Sequence, residues 1–125
     1  MLIVDDNHDS AELLALVLGR EGHETRVAFD PHDAIPLARS FCPHLALLDI
    51  GLPGMDGFQL LEILRGMPEL CACQFVAVTG YEEDAIGGIA ARGFDAHLQK
   101  PIDLNTVVAL VLDLGQGPVV EPATA

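Results

Sequence analysis

The chain has 125 residues, half of them apolar, which is one ordinary domain with room for a single sizeable core. Its formal charge of −13 argues against nucleic acid and anionic membrane surfaces as partners, since both call for Lys and Arg. The same acidity suits a bound cation or a partner with a basic face, and no apolar run approaches the ~20 residues of a membrane span.

Met1 opens almost directly on a strand, Leu2-Ile3-Val4, with no charged-then-apolar leader before it, and the strand ends at Asp5-Asp6. Asn7 to Ser10 are cap-type residues, and the spacing predicts a helix to about Arg20. Leu13, Leu14, Val17 and Leu18 give that helix a wide buried face, which Leu16 widens further. Thr25 to Phe29 reads as a second strand, with Arg26 suggesting an edge position. Asp30-Pro31 is an N-cap followed by Pro at the first helical position. The helix should run to about Ser40, but Pro36 inside it implies a kink, or a start nearer Asp33.

Leu45 to Asp49 is a third strand, and its unbroken apolar run marks it as buried on both faces. Gly51, Pro53, Gly54 and Gly57 cannot continue it, so the chain must turn out over the sheet edge. A helix starts near Gly57, carries Phe58, Leu61 and Leu64 inward and ends before Pro68. Cys71-x-Cys73 falls in a loop with no His or second pair nearby, so Cys42, Cys71 and Cys73 read as reduced cytosolic thiols. Gln74 to Thr79 is the fourth strand. Glu82 to Arg92 should be a fourth helix, softened by Gly87-Gly88 in its middle. Ala96 to Gln99 is the fifth strand, followed by Lys100-Pro101. Asp103 caps a fifth helix with Leu104, Val107, Val108 and Val111 on one face. From Gly115 the composition is that of a disordered tail or linker stub, giving a domain at 1–114 and a tail at 115–125.

Strands alternate with helices five times, which predicts an α/β fold: a five-stranded parallel sheet with five helices covering both faces. Every strand then ends on the same side, where ligands bind in such sheets. Asp5-Asp6, Asp49, Thr79 and Lys100 therefore gather at one rim, although they are scattered along the chain. Singly, each has a plainer use. Asp5-Asp6 suits a helix N-terminus, Asp49 a turn, Thr79 a strand end and Lys100 a solvated charge. Together, three crowded carboxylates call for a divalent cation, and oxygen donors without thiolate or imidazole favour magnesium over zinc. Lys100 is the only lysine in the chain.

At these residues the chain resembles the response-regulator receiver domains of two-component phosphorelays. The resemblance spans nearly all of residues 2–114. It is carried by Val4-Asp5-Asp6-Asn7, Leu48-Asp49-Ile50-Gly51-Leu52-Pro53-Gly54-Met55-Asp56-Gly57, Val78-Thr79-Gly80-Tyr81 and Gly93-Phe94-Asp95-Ala96-His97-Leu98-Gln99-Lys100-Pro101. The resemblance, and not the alternation, supplies the flavodoxin-like strand order 2-1-3-4-5. It implies that Asp49 accepts a phosphoryl group from a histidine of a sensor kinase or histidine phosphotransfer protein. It also implies that Asp6, Asp49 and the Gly51 carbonyl bind Mg2+, with Asp5 acting mostly through water. Thr79 would bond a phosphoryl oxygen and Lys100 would pair with the phosphoryl group, its bond to Pro101 being cis. A face of the fourth helix, fifth strand and fifth helix would then shift and bind a downstream output protein or domain.

The expected protein is a cytoplasmic phosphoacceptor, not an enzyme with its own substrate, and no DNA-binding, catalytic or dimerising output segment is visible. It is either a single-domain regulator or a piece of a larger protein. The wording at Leu48–Gly57 and Gly93–Pro101 is most similar to receivers of hybrid sensor kinases. The family usually has Tyr or Phe three residues before the lysine, where this chain has His97. That histidine is either a tolerated rim residue or a replacement for the ring that makes the response sensitive to pH. Three alternatives stand beside this reading: a small aspartyl-phosphate-forming phosphatase, a flavodoxin-like cofactor carrier, and a degenerate receiver that takes no phosphate.

Overall fold

A computed structural model describes residues 1–52, 54–80, 93–100 and 102–116. The expected fourth helix at Glu82 to Arg92 with its Gly87-Gly88 pair, Tyr81, Pro53, the Lys100–Pro101 bond and the chain from residue 117 lie outside the described residues.

Five parallel strands form one sheet: β1 (Leu2–Val4), β2 (Arg26–Ala28), β3 (Leu45–Asp49), β4 (Gln74–Thr79) and β5 (Ala96–Gln99). Their order is β2-β1-β3-β4-β5, as the resemblance implied. Val4 lies beside Ala28 and Leu48, Asp49 beside Val78, and Thr79 beside Gln99, so the strand ends line up along one rim. β2 is an edge strand, and only three residues of the expected five are paired.

The pleat sends alternate side chains to opposite faces, and each face carries its own core. Leu2, Val4, Ala46, Leu48, Phe75 and Ala77 pack toward α2 (Pro31–Phe41) and α3 (Gly57–Arg65). Ile3, Leu45, Leu47, Val76, Val78 and Leu98 pack toward α1 (His8–Arg20) and α4 (Leu104–Gln116), the expected fifth helix. α4 continues past the expected domain end at residue 114. No helix among the described residues is long and apolar enough to cross a membrane.

Two local expectations need correction. The buried face of α1 is narrow, made by Ala11, Leu14 and Leu18, while Leu13 and Leu16 are 47% and 53% exposed and Val17 is half-buried. Leu16 lies about 200° around the helix from Leu14, so it cannot share that face. α2 begins at Pro31 and not near Asp33, because Asp30 Oδ1 accepts from Asp33 N at 2.8 Å and caps the helix there. Pro36 is tolerated within α2 at an exposed position, where the carbonyl deprived of its donor can be hydrated.

Candidate functional site

β1, β3 and β4 each deliver a polar side chain to the same end of the sheet. Asp5, Asp49 and Thr79 are 2%, 4% and 1% exposed, and they are the buried polar residues among the described residues. Burial of this kind is costly without partners. Asp5 follows the last residue of β1, and its N–H donates to Ala28 O at 3.1 Å, tying the rim to β2. Asp49 closes β3, after which Ile50 N donates to Val78 O at 3.0 Å. Lys100 follows β5, and its N–H donates to the Thr79 carbonyl at 2.7 Å.

The two buried acids are held in the same way. Asp5 Oδ1 accepts from Asn7 N and Asp49 Oδ1 accepts from Gly51 N, each at 3.0 Å and each two residues ahead. This fixes the carboxylate planes and leaves both Oδ2 atoms facing Lys100. Lys100 Nζ is 3.0 Å from Asp49 Oδ2 and 3.6 Å from Asp5 Oδ2. Asp6 is exposed, and carboxylate oxygens of Asp5, Asp6 and Asp49 lie within 4.8 Å of one another.

Electrostatics follows from that crowding. Burial, and next the Asp49 charge, push the Asp5 carboxyl above its ordinary value, against the Asn7 N–H and the Lys100 ammonium. Burial works against the Lys100 charge, but the hydrogen bond and charge of Asp49, with the charges of Asp5 and Asp6, outweigh it and raise its pKa. One ammonium faces three carboxylates, so the cluster keeps a negative excess that a hard divalent cation would balance. The donors are all oxygens, and among the described residues no cysteine or histidine joins them, which fits magnesium by donor type.

The structure thus brings together Asp5, Asp6, Asp49 and Lys100 by side chain, Thr79 through its carbonyl, and Gly51 through its N–H. His97 stands outside this group; it is exposed on β5 beside Ala77. Cys42 and Cys71 are exposed free thiols, and burial pushes the Cys73 thiol up to about 12. Sequence reasoning missed Gly57 as a site residue. Its N–H donates to Ile50 O at 3.0 Å, and a Cβ there would lie 2.7 Å from Ile50 Cα and 2.8 Å from Asp49 O. The only trace of this in the sequence is the Asp56-Gly57 pair, which also reads as a helix start.

A family model for the response regulator receiver domain matches residues 1–112. The chain belongs to the response regulator receiver domain family. This receiver domain is 34% identical over 113 residues to an uncharacterized 14.6 kDa protein encoded in the sodA1 3' region of Leptolyngbya boryana, covering 89% of this chain and 86% of that one. It is also 34% identical over 111 residues to the DNA-binding response regulator MtrA of Mycolicibacterium paratuberculosis. That match covers 89% of the receiver domain but only 48% of MtrA. A crystal structure of a two-component response regulator from Clostridium difficile superposes with a TM-score of 0.84 at 27% identity, over 93% of this chain and 94% of that one.

Proposed function

We propose that this receiver domain is a magnesium-dependent phosphoacceptor in a two-component relay. Asp49 takes a phosphoryl group from a phosphohistidine on a sensor kinase or a histidine phosphotransfer protein. The observation that carries the reading is the placement of a buried carboxylate, Asp49, between two further acids and the only lysine of the chain.

Asp5, Asp6, Asp49 and the Gly51 carbonyl would hold the Mg2+, with Asp5 acting through water. When bound, the ion supplies positive charge against the acids and the incoming phosphoryl oxygens. Asp49 supplies the nucleophile: its carboxylate oxygen forms the bond to phosphorus as the phosphorus–nitrogen bond of the donor breaks and its electron pair returns to the imidazole. Lys100 holds Asp49 Oδ2 in the free protein and passes to a phosphoryl oxygen as charge spreads there, while the Thr79 hydroxyl donates to another. The chain turns over no substrate of its own beyond this self-modification. Its cysteines, free among the described residues, suit a cytoplasmic setting. Its partners are the phosphodonor protein and a downstream output protein or domain.

Incubation with a small acyl-phosphate donor and Mg2+, read by intact mass, tests this. Native protein should gain one phosphoryl mass that hydroxylamine removes, and Asp49→Asn should gain none. Equal labelling of both proteins, or a label stable to hydroxylamine, would contradict it.

A further inference from the structure

Asp6 is the least restrained member of the acidic group. It is exposed, and it makes no hydrogen bond or ion pair among the described residues, whereas its neighbours are tied down. Asp5 is buried and bonded to Ala28 O. Asn7 Oδ1 accepts from Ser10 N at 3.1 Å and caps α1. His8, the first residue of α1, lays its ring on Phe29 with centroids 3.7 Å apart and planes 18° from parallel.

Phe29 is itself a fixed platform. It lies between Ala28, the last paired residue of β2, and Asp30, the N-cap of α2, and it packs half-buried against the α1–α4 core. The turn from β1 to α1 is thus fastened to the β2 end on both sides of Asp6, by the Asp5 backbone before it and the His8 ring after it. We propose that the His8–Phe29 stack is a positioning brace that aims Asp6 at the divalent cation, a role resting on the phosphoacceptor reading of the site.

The physical need is clear. Mg2+ demands near-octahedral geometry at short distances, so a ligand on a loose turn forfeits affinity when it is ordered on binding. The apolar ring contact supplies that order before the ion arrives. The contact is between two ring faces, so a phenyl ring at position 8 would supply the same order. His8 and Phe29 touch no reacting atom; they act through Asp6.

The test is Mg2+ binding by calorimetry on the full chain for native protein, His8→Ala, Phe29→Ala, His8→Phe and Asp6→Asn, with thermal melts to establish folding. His8→Ala and Phe29→Ala should weaken Mg2+ binding about tenfold, the size typical for groups that orient metal ligands. His8→Phe keeps the stack without the imidazole and should bind as native protein does. In phosphorylation assays His8→Ala should raise the half-saturating Mg2+ concentration and leave the rate at saturating Mg2+ unchanged. His8 is exposed, so its substitution keeps the test available if Phe29→Ala fails to fold. His8→Ala that binds Mg2+ as well as native protein, or more tightly, would overturn the brace alone. So would His8→Phe as weak as His8→Ala. Native protein that binds no Mg2+, or Asp6→Asn that binds normally, would overturn the site reading and the brace with it.

Discussion

Lys100 Nζ lies 3.0 Å from Asp49 Oδ2, and the two residues are joined across the rim from the ends of β5 and β3. Asp5 Oδ2, at 3.6 Å from the same nitrogen, completes a triangle in which one cation offsets two buried acids. The third acid, Asp6, stays at the surface. The free protein is therefore short of positive charge at the place where phosphoryl transfer would need more of it.

Replacing Lys100 by Met should destabilise the metal-free protein by about 1–3 kcal/mol at neutral pH, below the range for a fully buried pair because a third of the lysine side chain meets water. Urea denaturation measures this, and added Mg2+ or a lower pH should recover part of the loss. Because the folded-state pKa of Lys100 is raised, its contribution in native protein is complete below the ordinary lysine value and disappears as pH climbs through the folded one. A Lys100→Met variant as stable as native protein would show that the acids need no counter-charge.

Asp5 has the opposite consequence for stability at neutral pH. Its folded-state pKa is raised, chiefly by burial, so the native state holds the proton longer than the unfolded chain does. Its contribution is favourable below the ordinary carboxylate value and is lost as pH rises through the raised one. Asp5→Asn should therefore be more stable than native protein at neutral pH without metal, with a flatter profile through that window. Mg2+ affinity of native protein should rise over the same pH interval as the competing proton leaves. Denaturation curves and Mg2+ titrations across pH check both signs.

Gly57→Ala tests the packing beneath Asp49. The added methyl meets backbone atoms of Asp49 and Ile50 that cannot rotate away, so the loop must shift. A loss of about 1–3 kcal/mol is expected, the usual cost of overpacking. Phosphorylation should slow as well, since Asp49 moves with its backbone. Denaturation and a phosphodonor time course on one preparation read both effects; unchanged values would remove Gly57 from the site.

Much of this is legible in the sequence itself. Leu45 to Leu48 ends in Asp49 and a glycine-rich turn, a pattern with few meanings, and the same-side rule for parallel strands brings Asp5, Thr79 and Lys100 to it. Relations decided by three-dimensional crowding were hidden. Leu13 and Leu16 look like core, yet only the side of α1 carrying Ala11, Leu14 and Leu18 meets the sheet. Gly57 looks like a helix start, and its close approach to Asp49 exists only once α3 is docked. The Arg65–Asp95 ion pair and the Asp95 Oδ2 bond from Phe75 N at 2.8 Å join residues too distant in sequence for any periodicity to report. His8 and Phe29 likewise read as a cap neighbour and a strand end, and their stacking follows from β2 lying beside β1.

The most direct measurement is to map the phosphorylated residue. Protein treated with an acyl-phosphate donor and Mg2+ is reduced with borohydride, which converts an aspartyl phosphate to homoserine, then digested and sequenced by mass spectrometry. Homoserine at position 49, absent when Mg2+ is withheld, is the expected result. Homoserine at another acid, or none anywhere in a labelled protein, would contradict the assignment of Asp49 as phosphoacceptor.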